Sequence, residues 1–159
     1  MTEFYLPLRL LHIVSSTILF GTGIGTAFAM WRAHASGDAR VVAVVCRNVV
    51  LADWFFTTPA VIVQPLTGWA LATLVGHSFT APWLLTSLAL YVLVGACWLP
   101  VVVLQLRMRD EAARCAATGQ PLSDTYARAF RTWFLLGWPA FAGVLAIFTL
   151  MVLKPVLWT

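Results

Sequence analysis

The sequence predicts an all-α membrane protein, a four-helix transmembrane bundle that forms a single domain over residues 1–159. Hydrophobic residues make up 61% of the chain and charged residues only 10%, whereas about 25% of a typical globular domain is charged. The stretches from Ile13 to Trp31 and from Trp54 to Leu106 contain no charged residue. A helix needs roughly 20 apolar residues to cross a hydrocarbon core about 30 Å thick. We therefore expect the chain to lie in a lipid bilayer.

Four apolar segments are long enough to be membrane spans, and three short connections join them. The spans cover approximately residues 6–32, 49–75, 83–108 and 133–154. In the first connection, Ser-Gly-Asp at 36–38 is expected to end one helix and cap the next. The sequence GHSFTAP at 76–82 predicts a tight turn. In the third connection Gly119 is expected to end a helix, and either Ser123 or Asp124 to cap the following one.

The distribution of basic residues predicts how the bundle is oriented. The first and third connections hold eight of the ten basic residues, namely Arg32, Arg40, Arg47, Arg107, Arg109, Arg114, Arg128 and Arg131. The positive-inside rule then places both of these connections in the cytoplasm and both termini in the periplasm of a bacterial inner membrane. The same clustering explains the net charge of +4 without a nucleic-acid partner. A cleavable signal peptide is the alternative for the N-terminus, but the first span is followed by three arginines, which favours its retention.

His12 is the main candidate for a functional residue, because ionisable side chains are costly inside a membrane. It follows Arg9 by three residues, so the two share one helix face. One interpretation is a histidine hydrogen-bonded to a neighbouring group, for instance near Ser15 or Ser16. The other is an axial ligand of a haem iron, since imidazole commonly ligates haem between helices. Arg9 and Lys154 are expected to snorkel to the outer interface, where they would also suit the carboxylates of a haem.

The second span is predicted to form a wall of the site. Gln64 lies near its middle, between Pro59 and Pro65. Proline removes a backbone hydrogen bond, and the freed carbonyls must be buried in protein or face a polar cavity. Gln64 is therefore a further candidate for cofactor binding.

Three other ionisable residues receive simpler assignments. Asp53 is expected near the cytoplasmic interface, paired with Arg47 or Arg131, and proton handling is the alternative role. His34 and His77 lie in connections, where we expect them to be solvated. The three cysteines show no spacing typical of a zinc site or a disulfide framework.

Three short motifs indicate a family resemblance. R-L-L-H at 9–12 and W-R-A-H at 31–34 flank the first span, and R-T-W-F-L-L-G-W-P at 131–139 opens a last span that ends in Lys154 and Pro155. These motifs are similar to those of the HemJ-type four-helix membrane protoporphyrinogen oxidases. The whole chain also resembles a bacterial family of small predicted integral membrane proteins, the domain of unknown function 2269. The HemJ resemblance implies a bundle that binds haem b, with His12 as ligand and Arg9 in place of the family's lysine.

The chain departs from the HemJ pattern in the last two spans. Leu135, Leu136 and Gly137 stand where that family has acidic and amide residues, and the third span lacks its lysine and histidine. Removal of protons and electrons from protoporphyrinogen would need such groups. Whether the chain catalyses a reaction therefore stays open.

The leading functional hypothesis is a small membrane protein that binds b-type haem or a related tetrapyrrole. His12 would hold the iron, and electrons would pass to or from a redox partner in the membrane. The alternative is a non-catalytic membrane subunit or assembly factor. Gly21, Gly25 and Ala29 recur every four residues, a pattern typical of close helix–helix approach in lipid. Such a face would also allow the chain to form a homo-oligomer. A small transporter is a third hypothesis, which would require an oligomer.

Overall fold

A computed structural model of the chain, which describes residues 2–157, is built from helices connected by short turns. They form four continuous helical segments that are long and apolar enough to cross a membrane, namely Glu3–Ser36, Ala39–Val75, Pro82–Thr118 and Asp124–Leu153. The predicted all-α, four-helix membrane fold is therefore confirmed. The helices are α1 (Thr2–Ser36), α2 (Ala39–Ala52), α3 (Thr58–Val75), α4 (Pro82–Thr118) and α5 (Asp124–Leu153), and a π-helical segment (Asp53–Thr57) joins α2 to α3 without a break.

The helix ends lie where the capping residues predict them. Gly37 has a φ of +67°, and Asp38 caps α2 by accepting a hydrogen bond of 2.8 Å from the backbone N–H of Arg40. Gly119 ends α4 with a φ of +65°. Ser123 caps α5 through its hydroxyl, which decides between the two caps that the sequence left open. α2 and α4 also extend beyond the apolar spans, because their polar ends keep good helix-forming residues.

The two prolines of the second span change its backbone in different ways. Pro59 has no N–H, and its ring would crowd the carbonyl four residues earlier. The chain accommodates it with the wider π turn, in which the Thr58 N–H bonds to the Asp53 carbonyl. Pro65 leaves the Val61 carbonyl without its usual donor, and the Tyr91 hydroxyl of α4 donates to that carbonyl instead. The expected freed carbonyl is thus satisfied by a neighbouring helix.

The helices pack closely at one end of the bundle and leave a space towards the other. α4 packs along α5, α1 along α3, and α2 against α4. We call the end that carries the two arginine-rich connections the basic end, and the opposite end the terminal end. The basic end holds the buried core, which includes Met30, Val42, Cys46, Met108, Ala112, Tyr126, Phe130 and Trp133. Between the pair α1–α3 and the pair α4–α5 a large cavity remains.

Candidate functional site at the contact between α1 and α3

The His12 imidazole is held by a hydroxyl of the neighbouring helix. Its Nδ1 lies 2.7 Å from Thr67 Oγ1. The single proton of that hydroxyl is directed to the Val63 carbonyl of its own helix, at 2.7 Å. In the arrangement in which Thr67 donates to Val63, it accepts from His12 and the imidazole proton lies on Nδ1. It follows that Nε2 carries the free lone pair, which is the atom a metal ion would need.

Gln64 fixes the backbone on which His12 stands. Its Nε2 donates to the His12 carbonyl and to Ser15 Oγ, each at 2.7 Å. The Ser15 hydroxyl in turn donates to the His12 carbonyl at 3.1 Å. A Cβ at position 68 would lie 3.3 Å from His12 Cε1, so Gly68 permits the close approach of the ring to α3. The partner of the ring is thus a hydroxyl of α3, not the Ser15 or Ser16 hydroxyl of its own helix.

The four residues predicted to form the site fall into separate groups. His12 and Gln64 are in contact. The Arg9 guanidinium lies over the Tyr5 ring, 5.9 Å from its centroid, and its side chain is exposed. Lys154 is placed at the end of α5. Within residues 2–157 no hydrogen bond or ion pair joins either cation to His12.

The two histidines of the connections make contacts that the sequence did not indicate. His34 was expected to be solvated, but its ring stacks on Phe130 with 3.7 Å between the centroids. α1 continues past the predicted span, and the His34 ring is partly buried against Phe130 of α5. His77 Nε2 lies 3.2 Å from Lys154 Nζ, and the same ammonium lies 5.4 Å from the centroid of Trp83. Lys154 therefore ties the end of α5 to the turn between α3 and α4.

A cavity of about 520 Å³ adjoins the His12 group. Gln64 lines it, and so does Ser16, which lies one helical turn beyond His12. Residues one turn apart share a helix face, so His12 stands just beyond the terminal end of the cavity. Aromatic rings form much of the wall, among them Phe20, Tyr91, Trp98, Trp133, Trp138 and Phe141.

Asp53 lines the basic end of the same cavity and does not make the expected ion pair. Its side chain is 7% exposed, and Oδ1 accepts a hydrogen bond of 2.8 Å from the Thr57 hydroxyl. No ion pair of Asp53 is found in the described part of the chain, so the expected pairing with Arg47 or Arg131 is wrong. The π turn brings Thr57 over the carboxyl group, and burial keeps the arginines, which are exposed, away from it.

Gln105 and Trp133 also line this end of the cavity, and sequence reasoning missed both. Gln105 is 4% exposed and Trp133 is 7% exposed. The only sequence signal was an amide in the apolar run VVVLQL. Across the described ranges, no group of three or more His, Cys, Asp or Glu side chains could hold a metal ion.

Comparison with known proteins places the chain in a family. A family model described as a predicted integral membrane protein, DUF2269, matches residues 6–155. Neither a curated protein nor a solved structure matches the chain.

Proposed function

The chain belongs to the DUF2269 family of predicted integral membrane proteins, and we propose that it binds b-type haem or a related tetrapyrrole through His12 Nε2. The observation that carries this proposal is the hydrogen bond between His12 Nδ1 and Thr67. Histidine ligands in metal sites commonly donate their other ring N–H to a fixed acceptor, which sets the tautomer and the orientation of the ring. His12 meets that requirement before any metal is bound.

The surroundings of His12 suit a flat, largely apolar ligand. The adjoining cavity of about 520 Å³ falls within the roughly 300–1,000 Å³ of typical ligand pockets, and its aromatic rings can pack on a macrocycle. Arg9 is exposed and lies one turn from His12, so it is the cation best placed for a haem carboxylate. Lys154 would serve the same purpose from the same end by leaving His77. When bound, the haem would supply an iron that gains and loses one electron, for exchange with a redox partner in the membrane.

His12 is the residue that would hold the iron. The described residues that line the cavity include no imidazole, and His12 itself lies beyond its end. A second histidine ligand would require His77 to leave its contact with Lys154.

Absorbance of the purified protein tests this function. After expression with haem supply we expect a Soret band in the parent protein and in His77→Ala, the control, and its loss in His12→Ala. Thr67→Val should keep haem but shift the band and the reduction potential, because the Nδ1–H loses its acceptor. A parent protein without a Soret band, or an unchanged band in His12→Ala, would contradict the proposal.

A non-catalytic membrane subunit is the second candidate, and one observation favours it. No described atom lies within 4 Å of a Cβ built at Gly21 or at Gly25, so the glycine face of α1 is not used for packing inside the chain. Such a face permits close approach by a helix of another chain. Leucine at either glycine should reduce co-purification of partner subunits or of a homo-oligomer, whereas Val14→Leu, on an exposed part of the same helix, should not.

The proposal includes residence in a bacterial inner membrane with both arginine-rich connections in the cytoplasm. The charge asymmetry supports this orientation. Single cysteines can be placed at Ser78 and at Thr118, which are exposed and lie at opposite ends of the bundle, after replacement of the native cysteines. A membrane-impermeant maleimide should label the first in intact spheroplasts and the second only after lysis. The opposite pattern would reverse the orientation.

A further inference from the structure

Three buried polar side chains at the basic end of the cavity each carry one atom for which hydrogen-bond geometry gives no partner within residues 2–157. The atoms are Asp53 Oδ2, Gln105 Oε1 and Trp133 Nε1. The Asp53 carboxyl group and the Gln105 side chain lie within hydrogen-bonding reach of each other. All three residues line the cavity, and each is more than nine-tenths buried. Leaving such an atom unpaired in a buried place is costly. Three of them at one end of a cavity indicate that a ligand completes them.

The donors and acceptors specify a hydroxyl group. The indole N–H of Trp133 can only donate, and Gln105 Oε1 can only accept. A carboxylate oxygen of Asp53 also accepts, and the Thr57 hydroxyl fixes the other oxygen. A ligand hydroxyl can donate to Asp53 and accept from Trp133 at the same time, with Gln105 as a second acceptor for its proton.

The surrounding wall specifies an aromatic ring next to that hydroxyl. Trp98, Phe134 and Trp138 line the cavity near its polar end, and aromatic side chains pack favourably on a flat ring. A smaller cavity of about 270 Å³ lies between the π segment and α4 and shares Asp53, Trp98 and Gln105 with the larger one. Its other walls include Leu99, which is 64% exposed. The polar end can therefore be reached from the lipid-facing surface.

We infer that the basic end of the cavity binds the ring of a lipid-soluble hydroquinone. One ring hydroxyl donates to Asp53 and accepts from Trp133, and the alkyl tail lies towards the lipid. The polar groups of this site are separate from His12, although both proposals use the same cavity and its aromatic wall. Asp53 precedes Gln64 by 11 residues, which is about 16 Å along a helix, so the hydroquinone site stands or fails independently of haem.

Calorimetric titration of the haem-free protein in detergent tests this inference. The probe is a decyl-substituted dimethoxy-methyl-benzohydroquinone, with heats from empty micelles subtracted. Decanol and decylbenzene are the comparison ligands, since each lacks either the ring or the hydroxyl. We expect saturable 1:1 binding of the hydroquinone and at least about tenfold weaker binding of decylbenzene, which loses the hydrogen bonds of the hydroxyl. Decanol should also bind more weakly, because it loses the packing of the ring on the aromatic wall.

Matched variants locate the site. Trp133→Phe keeps the ring but removes the N–H, and Trp69→Phe is the control because Trp69 is exposed and does not line the cavity. We expect Trp133→Phe and Asp53→Asn each to weaken binding about tenfold, and Trp69→Phe to change it less than about twofold. If Asp53→Asn does not fold, Trp133→Phe decides. Equal effects of the two tryptophan variants, or decanol binding as tightly as the hydroquinone, would overturn the inference.

The two proposals fail in distinguishable ways. A missing Soret band leaves hydroquinone binding by the haem-free protein unaffected. If the hydroquinone does not bind in the calorimetric titration, the Soret band and its dependence on His12 are unaffected.

Discussion

Replacing Tyr91 with phenylalanine should destabilise the bundle, because it removes the donor to the Val61 carbonyl, which Pro65 leaves without its usual N–H partner. In a regular helix the N–H of residue 65 would bond to the Val61 carbonyl. Proline has no N–H, and the Tyr91 hydroxyl donates to this carbonyl from α4. Tyr91→Phe therefore leaves a backbone acceptor unpaired at membrane depth and also breaks a link between two helices.

The size of the effect follows from these two losses. Hydrogen bonds between helices in membranes contribute about 0.6 kcal/mol on average and about 1.7 kcal/mol at most. An acceptor left unpaired in a buried place costs about 1–3 kcal/mol. Val61 and Tyr91 are only half-buried, so we expect the free energy of unfolding to fall by roughly 1–2 kcal/mol.

The assay is reversible unfolding in mixed micelles by titration with sodium dodecyl sulfate, followed by circular dichroism. Tyr126→Phe is the matched control. The Tyr126 hydroxyl is buried without a partner among the described residues, so its removal should leave the stability unchanged or raise it. The same chemical change should thus destabilise at one tyrosine and not at the other.

Pro65→Ala provides the decisive test. Alanine restores an N–H that can bond to the Val61 carbonyl, so Tyr91→Phe should cost less than about 0.5 kcal/mol in that background, and the two changes should be non-additive. A cost that is equal in both backgrounds would refute the reasoning, because the tyrosine would then act through packing alone.

Three further predictions concern packing and capping. Gln64→Leu should lower the free energy of unfolding by roughly 1–3 kcal/mol, since it removes two hydrogen bonds between α1 and α3, and in a double-mutant cycle on the same titration it should couple to Ser15→Ala. Gly143→Ala places a Cβ 2.6 Å from a valine methyl of α4, so it should cost about 1–3 kcal/mol by overpacking and lower the midpoint of thermal aggregation. Gly137→Ala, with no described atom within 4 Å, should leave that midpoint unchanged. Asp38→Ala should cost about 0.5–2 kcal/mol by loss of the helix cap, whereas Asp38→Asn should not, as measured by urea denaturation.

The fold could be predicted because its signals are local. A run without charges that is long enough to cross the bilayer can only be a helix or part of a barrel, and its length argues for the helix. The helix ends were predicted at the right places because Gly37, Gly119 and the caps Asp38 and Ser123 act through backbone groups only a few residues away.

The partners of the site residues could not be predicted, because they depend on which helices meet. The sequence placed hydroxyls next to His12 on its own helix, but the ring turns to Thr67, and only the packing of α1 on α3 reveals that. Asp53 was expected to find an arginine, yet the π turn forced by Pro59 brings Thr57 to it. Trp133 resembled an ordinary interface residue, since its unpaired N–H is a property of the packed cavity.

The contrast between the two ends of the cavity is the strongest argument that its basic end has a ligand of its own. Towards the terminal end, a backbone carbonyl that lacks its usual donor is paired within the chain. The Tyr91 hydroxyl donates to the Val61 carbonyl, which Pro65 leaves free. At the basic end the same helices leave Asp53, Gln105 and Trp133, which line the cavity, incompletely paired in the described structure, together with His34 and Tyr126, which do not line it. Unpaired polar atoms are costly in a membrane, and an apolar residue at any of these positions would avoid the cost. A bound hydroxyl group would remove the cost and would also give these three residues a common function.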